Sequence, residues 1–237
     1  MAVGKNEIIE IGESDINMGR MMEKTEPLIV TQNMLITVPE RYYAIPYVDG
    51  KRLEKIGPCQ KKKLKKFIGS DKVGKSVSVL YVSKTKLNTL PWGGGNLPIT
   101  YEQFGGFKLK VGANGTFLCD IVNPPAFYES LGREYGVLNI DEVKSRTISA
   151  FRACISGIVV QLFEEAGEPI FETEFLIDEL NRRINGRVCN KKAPNLPGAF
   201  FKSATVTAIC VSEEDKAAFL EFYEKNKKNL LKEAKKL

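Results

Sequence analysis

An eight-residue segment has the spacing of a phosphate-binding loop, G-x-x-x-x-G-K-S, supplied by Gly69, Gly74, Lys75 and Ser76. In such a loop a buried strand leads in and a helix leads out, so that backbone amides at the helix N-terminus bind the phosphates. Here the residues after Ser76 read VSVLYVS, which is typical of a strand, and a lysine run precedes Gly69. This context argues against nucleotide binding, and a nucleotide-binding enzyme is kept as an alternative function.

A cationic stretch directly before this segment combines five lysines with an aromatic residue: Lys61, Lys62, Lys63, Lys65, Lys66 and Phe67. Cations beside an apolar ring favour docking on an anionic membrane surface, where each basic residue contributes about 1 kcal/mol. Lysines also protect the edge strands of sheets from pairing with other chains, and this structural interpretation stays open.

Nucleic-acid binding is a third interpretation of the lysine run. Phe67, Tyr42 and Tyr43 would then supply stacking surfaces for bases. The formal net charge of +6 permits an anionic partner without demanding one, and no nucleic-acid recognition motif accompanies the lysines. The expectation is therefore no nucleic-acid partner, with this reading retained as an alternative.

Composition narrows the chemistry further. The chain contains no histidine, which excludes Ser-His and Cys-His nucleophile pairs and His-ligated metals. The five cysteines are scattered without a CxxC pair: Cys59, Cys119, Cys154, Cys189 and Cys210. That spacing is typical of neither a disulfide framework nor a zinc site. We expect no catalytic residues, no cofactor, no metal and no small-molecule substrate.

Three segments have helical patterns. Residues 139–167 place apolar residues three and four apart over about seven turns, with Asn139 as N-cap and Gly167 as the stop. Residues 171–185 form a second amphipathic pattern that ends at Gly186. The segment from Ser212 opens with a capping box and continues to the C-terminus.

The apolar residues of this last helix are predicted to fold back or to self-associate with a neighbouring chain, and six are singled out: Phe219, Leu220, Phe222, Tyr223, Leu230 and Leu231.

The remaining ordered segments read as antiparallel strands. Residues 28–57 suggest two or three strands punctuated by Pro39, Pro46 and the turn pair at residues 49–50. Residues 107–122 suggest a hairpin with its turn at Ala113-Asn114-Gly115, and the glycines after Trp92 suggest a wide turn. Residues 199–211 alternate as a further strand, with Ala204, Val206, Ala208 and Cys210 on its apolar face.

Targeting signals are not apparent. No run reaches 18 apolar residues, so no transmembrane helix is expected, and the first residues lack the apolar core of a signal peptide. These features predict a cytoplasmic protein. Residues 1–25 are expected to form a mobile arm or a short amphipathic helix.

The order of these elements resembles the SPFH (band 7) domain of stomatins, prohibitins and flotillins, and is most similar to the bacterial virion-core-protein-like branch. Four stretches carry the likeness, which spans about residues 26–222: LIVTQNMLITVPERYYAIPYVDGK, GGFKLKVGANGTFLCDIVNPPAFY, DEVKSRTISAFRACISGIVVQLF, and FLIDELNRRINGRV with the strand that follows it. The expected fold is α+β: an antiparallel β-rich SPFH-like domain at 26–211, packed by two amphipathic helices, with the C-terminal helix at 212–237.

The resemblance implies a non-catalytic scaffold or adaptor. Domains of this family assemble side by side on membranes and bind lipid or membrane-bound proteins. For this chain it implies a homo-oligomer, cytoplasmic and peripheral to the inner membrane, that binds an anionic membrane surface or a membrane-bound protein. The hydrophobic N-terminal anchor of many relatives is not evident here, and the C-terminal helix holds only about seven turns.

Overall fold

The computed structural model describes residues 7–11, 19–87, 89–132 and 134–233, excluding the side chains of residues 103 and 227–233. The chain divides into two compact units: unit 1 is Met1–Lys86 with Ile121–Arg146, and unit 2 is Leu87–Asp120 with Thr147–Leu237. The expected division at residues 25 and 211 stays a prediction. Antiparallel sheets combined with helices confirm the predicted α+β class and the C-terminal helix.

The strands in chain order are β1 (Ile8–Ile9), β2 (Arg20–Lys24), β3 (Leu28–Ile29), β4 (Leu35–Val38), β5 (Tyr42–Val48), β6 (Lys51–Arg52), β7 (Cys59–Lys63), β8 (Ser76–Ser83), β9 (Leu90–Tyr101), β10 (Phe107–Ile121), β11 (Gly136–Asn139), β12 (Lys191–Lys192) and β13 (Ala199–Val211). The helices are α1 (Lys65–Ile68), α2 (Pro124–Ser130), α3 (Ile140–Ala166), α4 (Leu176–Arg187) and α5 (Glu213–Glu233).

Unit 1 is organised around β8, which is central in a sheet of order β11-β2-β8-β5-β6 and also pairs with β3. Val79, Leu80 and Tyr81 are fully buried, and because consecutive residues of a strand face opposite sides, β8 is covered on both faces. A smaller sheet has the order β1-β4-β7. The Tyr81 hydroxyl lies 3.0 Å from the carbonyl oxygen of Ile9 and 3.1 Å from that of Thr37, and so links β8 to this smaller sheet.

The predicted turn at Asp49-Gly50 in unit 1 is confirmed, and two other predictions for this unit are wrong. Asp49 and Gly50 both have positive φ (47° and 76°) in the β5–β6 turn, as residues of a type I′ turn require. Pro46 does not end a strand but lies inside β5, opposite Val79. Residues 20–24 form neither an arm nor a helix, because β2 pairs with both β8 and β11.

Unit 2 contains a sheet of order β12-β13-β10-β9, and its hairpin differs from the prediction. Residues 113–115 do not form a turn, because β10 is continuous and pairs with β9 over most of its length. The glycines after Trp92 lie inside β9. The turn is instead at Gly105 and Gly106, which have φ of 65° and 75°.

The glycine at 115 serves close packing rather than a turn. A Cβ atom at Gly115 would lie 2.0 Å from the carbonyl oxygen of Thr205 on β13 and 3.0 Å from Nε1 of Trp92. Glycine is therefore required where the β13 backbone approaches β10.

The long helix α3 matches the predicted bounds, and Gly167 follows it with a left-handed φ of 73°. In unit 2 the ring of Phe151 stacks on Phe117, with ring centroids 4.1 Å apart, and meets Phe201 edge-on at 5.2 Å. Aromatic pairs in these arrangements contribute about 0.5–1.5 kcal/mol beyond the burial of their area.

Helix α3 has the length and mean hydropathy of a helix that could cross a membrane. It is the one such candidate among the described residues, and 44% of its most apolar window is buried inside the protein. The expectation of no transmembrane helix was based on the lack of a run of 18 apolar residues. The present criterion uses the mean hydropathy of an 18-residue window, which tolerates interspersed polar residues. Core helices satisfy the same criterion, so the finding is weak evidence for a span.

Helix α4 begins five residues later than predicted, at Leu176, and continues past Gly186 to Arg187. Two asparagines of α4 form hydrogen bonds with the backbone of β13. The backbone amide of Val206 donates to Asn181 Oδ1 at 2.7 Å. The side-chain amide of Asn185 donates to the carbonyl oxygen of Ala204 and accepts from its backbone amide. Side chains of α4 thus hydrogen-bond to backbone groups of β13.

Strand β13 has the predicted bounds, but its alternation shifts near its end. Ala204 and Val206 are buried as expected, whereas Ile209 is buried and Cys210 is exposed. The assignment of Cys210 to the apolar face was therefore wrong.

The close approach at Gly115 predicts a large effect of a single methyl group. Gly115→Ala should lower the free energy of unfolding by about 3 kcal/mol, because the β13 backbone must move. The control is Gly94→Ala in β9, where an added Cβ meets no atom within 4 Å, and a change below about 1 kcal/mol is expected. Urea denaturation measures both, and equal effects would contradict the packing account.

Candidate functional site

The lysine run begins on β7, the edge strand of the smaller sheet in unit 1. Lys62 pairs with Ile36 and Lys63 with Leu35, and the register is irregular between Lys62 and Cys59. Lys61 sits at this irregularity with φ of 44°, and its amide donates to Thr37 Oγ1 at 3.3 Å. A bulged, lysine-bearing edge resists pairing with another chain, as the structural interpretation expects.

The run continues in α1, a single helical turn held by apolar anchors. Leu64 and Ile68 are buried, at 0% and 6% exposed, on either side of the outward-facing residues. Lys66 is exposed and Phe67 is 43% exposed. Lys65 Nζ donates to Gln32 Oε1 at 2.8 Å, which ties α1 to an exposed turn. We call Lys61, Lys62, Lys63, Lys65, Lys66 and Phe67 the lysine surface.

Charge on the lysine surface is not neutralised locally. Within the described part of the chain, no ion pair joins any of its lysines to an acid. The neighbouring Lys72 and Lys75 differ, because Lys72 pairs with Asp71 and Lys75 Nζ lies 3.5 Å from Asp49. The net positive charge of this region is therefore concentrated on residues 61–66.

Two exposed apolar residues that the sequence reading did not assign to a site lie in the same unit. Leu28 and Ile29 on β3 are 42% and 59% exposed. The next residue, Val30, bonds by its backbone to Gly74 and Lys75. The signal available in the sequence was the unbroken apolar run at 28–30, which exceeds what a strand with one buried face requires.

The phosphate-loop match lacks the geometry of a phosphate site. Ser76 begins β8 and not a helix, as its sequence context predicted. Asp49 Oδ1 accepts a hydrogen bond from the Ser76 amide at 3.2 Å, and the same carboxylate faces Lys75. Groups that would bind a phosphate therefore already contact an anion of the protein.

The first glycine of the match has a structural role. Gly69 has φ of 96°, and a Cβ there would lie 2.5 Å from Asp71 Oδ1. The residue is thus constrained by the turn between α1 and the 3-10 turn at Ser70–Lys72.

The aromatic partners proposed for nucleic acid are only partly available. Tyr42 is buried, and its hydroxyl donates to the carbonyl oxygen of Arg20 at 2.8 Å, so this ring offers no stacking face. Tyr43 is half-buried with Lys55 Nζ 5.9 Å from its ring centroid. Phe67 remains as an exposed ring beside the lysines.

The residues proposed for self-association divide into two groups. Phe219 packs on Phe104, Phe107 and Phe171, with ring centroids 5.6, 5.2 and 5.4 Å apart, and so holds α5 against its own unit. Phe222 also contacts Phe107, and Tyr223 contacts Phe219. Leu220 is 54% exposed. The side chains of Leu230 and Leu231 lie outside the described residues.

Cysteine chemistry finds no support in the structure. All five cysteines are free, and burial raises the pKa of the Cys119 thiol to about 12 and that of Cys189 to about 11. Such thiols carry little thiolate at neutral pH and are poor nucleophiles. Across the described ranges, no cluster of three or more His, Cys, Asp or Glu residues could hold a metal ion.

The geometry at Asp49 yields a direct test of the nucleotide alternative. Titration calorimetry with ATP and Mg²⁺ should detect no micromolar binding, because Lys75 and the Ser76 amide already contact a carboxylate. Calorimetry is preferable to Trp92 fluorescence, since Trp92 belongs to the other unit. Micromolar binding that Lys75→Ala abolishes would establish the nucleotide site.

Comparison with protein-family models and with curated protein sequences found no match. The resemblance to the SPFH domain therefore rests on the residues and on the order of the elements.

Proposed function

We propose that the protein is a non-catalytic, self-associating scaffold that binds the cytoplasmic face of the inner membrane peripherally. The observation that carries the proposal is the lysine surface, where five cations that form no ion pair with any described residue adjoin a 43%-exposed phenylalanine. The order of elements that resembles the SPFH domain agrees with such a role. The bound partner would be the anionic lipid surface or a membrane-bound protein.

Edge protection alone does not account for the whole lysine surface. It explains Lys61–Lys63, because these residues lie on the edge strand β7. Lys66 and Phe67 lie in α1, where there is no strand edge to protect. An exposed ring beside these lysines instead suits insertion between lipid headgroups.

The energetics favour reversible binding. At about 1 kcal/mol for each exposed lysine near an anionic surface, Lys61, Lys62, Lys63 and Lys66 together contribute about 4 kcal/mol. The exposed part of Phe67 adds less than the roughly 1.5–3 kcal/mol of a fully transferred side chain. Binding of this strength is sensitive to salt, because the screening length falls to about 3 Å at 1 M.

Self-association would use the part of α5 that intramolecular packing leaves exposed. Phe219 and Phe222 already contact aromatic residues of their own unit, whereas Leu220 is 54% exposed. A helix at the surface with an unpaired leucine offers a seam for a second copy of the chain.

Membrane binding predicts a specific loss on neutralising two lysines. Lys62→Gln with Lys66→Gln should weaken binding to phosphatidylserine-containing vesicles about 30-fold at low salt. Flotation with and without anionic lipid measures the effect. Phe67→Ser should weaken binding further without changing its salt dependence.

The matched control neutralises Lys84 and Lys86, which are exposed in the same unit and outside the lysine surface. This pair should leave vesicle binding nearly unchanged. Equal losses in both double variants would show that net charge alone acts. Retention on heparin with a steep salt slope, but no flotation, would favour nucleic acid instead.

Self-association is tested by mass in solution. Leu220→Glu should shift the distribution toward monomer in light scattering, whereas Leu118→Glu, a control at a leucine 38% exposed on β10, should not. Phe219→Ala should instead lower the free energy of unfolding by about 2 kcal/mol, because it removes intramolecular ring contacts. A wild-type monomer at every concentration would refute this half of the proposal.

A further inference from the structure

A groove in unit 2 has no part in the features described so far. It lies between the middle of α3 and the segment that leads from the end of α4 into β12, and its volume is about 480 Å³. Volumes of roughly 300–1,000 Å³ are typical of small-molecule sites. The groove residues used below are Cys154, Ile158, Arg187, Val188, Lys191 and Lys192.

The floor of the groove is apolar. Ile158 and Val188 are 7% and 8% exposed, and the half-buried Cys154 lies one helical turn from Ile158 on α3. Burial raises the pKa of the Cys154 thiol, so at neutral pH this side chain is an uncharged, weakly polar group. The floor therefore suits an alkyl chain.

The rim of the groove is cationic. Arg187, Lys191 and Lys192 are all exposed, and none of the described residues that line the groove is acidic. Lys191 Nζ donates to the carbonyl oxygens of Gly186 and Arg187 at 3.1 Å, and Arg187 donates to the amide oxygen of Gln161. These acceptors are uncharged, so the bonds orient the cations without neutralising them.

One acidic residue of α3, Glu165, forms an ion pair outside the groove. Glu165 on α3 forms an ion pair with Arg183 at 2.8 Å, and hydrogen bonding to Arg183 lowers its pKa. Arg183, which does not line the groove, is the ion-pair partner of Glu165, and the charge of Arg187 at the rim lowers the same pKa to a lesser extent. An anion bound at the rim would neutralise part of the positive charge of Arg187, Lys191 and Lys192.

We propose that this groove binds a single-chain fatty acid, with the alkyl chain on the apolar floor and the carboxylate among the rim cations. The planar guanidinium of Arg187 suits a carboxylate, which it can bind through two parallel hydrogen bonds. The volume fits one alkyl chain and not the two chains of a phospholipid. The site is in unit 2, so it stands independently of the lysine surface in unit 1.

Stabilisation of the C-terminus of α4 explains only part of the arrangement. Lys191 does cap the last carbonyl groups of the helix, as cations commonly do. Lys192 makes no such contact among the described residues, and helix capping does not require an apolar cavity beside it. The combination of floor and rim is what points to an amphiphile.

Cys154 supplies a reporter inside the groove. Laurate, kept below its critical micelle concentration and without vesicles, should slow alkylation of Cys154 by iodoacetamide about 10-fold at mildly alkaline pH. The exposed Cys210 and the half-buried Cys59 are internal controls, because neither lines the groove. Peptide mass spectrometry reads all three thiols in one sample.

Charge recognition is tested with amphiphiles of equal chain length. Dodecanol and dodecyltrimethylammonium should protect Cys154 at least about 10-fold less well than laurate, because they lack a carboxylate. Lys191→Gln with Lys192→Gln should weaken protection by laurate about 10-fold. Lys108→Gln with Lys110→Gln is the matched control, since both lysines are exposed on β10 in unit 2.

Three results would overturn the proposal. One is unchanged alkylation of Cys154 in laurate. Another is equal protection of all three thiols, which would indicate nonspecific binding of detergent-like molecules. The third is equal protection in the Lys191/Lys192 and Lys108/Lys110 variants. Binding of vesicles through the lysine surface would be unaffected by each of these outcomes.

Discussion

The burial of Leu64 and Ile68 is the constraint on which the lysine surface depends. These residues are 0% and 6% exposed and flank the single turn of α1. Because both are packed in the core of unit 1, the residues between them, Lys65 to Phe67, are held at the surface. The lysines of this stretch are thereby fixed at a strand edge and an adjoining helical turn.

Local patterns predicted the elements that depend mainly on local interactions. The bounds of α3 and β13, the type I′ turn at Asp49-Gly50 and the strand after Ser76 followed from periodicity, capping and turn chemistry. The strand context of Ser76 also mattered for function, because it argued against the phosphate-loop match. Of the six residues assigned to the lysine surface, Lys65 is half-buried and the other five are exposed, and their role in membrane binding stays a prediction.

Predictions were wrong where the environment of a residue is determined by a part of the chain that is distant in sequence. Gly115 looked like a turn residue, but it is small because the β13 backbone passes there, 90 residues later at Thr205. Tyr42 looked available for stacking, but it is 2% exposed and its hydroxyl donates to the carbonyl oxygen of Arg20 on β2. The groove beside α3 had no sequence signature, since its floor and rim come from separated segments whose approach only the fold determines.

The placement of Trp92 has a consequence for spectroscopy. The indole is 3% exposed, its ring centroid lies 5.9 Å from that of Phe151, and it is the sole tryptophan of the chain. Its emission is therefore blue-shifted in the native state and reports only on the surroundings of α3 and β9 in unit 2. A denaturation curve followed by tryptophan emission has no direct probe in unit 1, whose unfolding can be followed by tyrosine absorbance or circular dichroism.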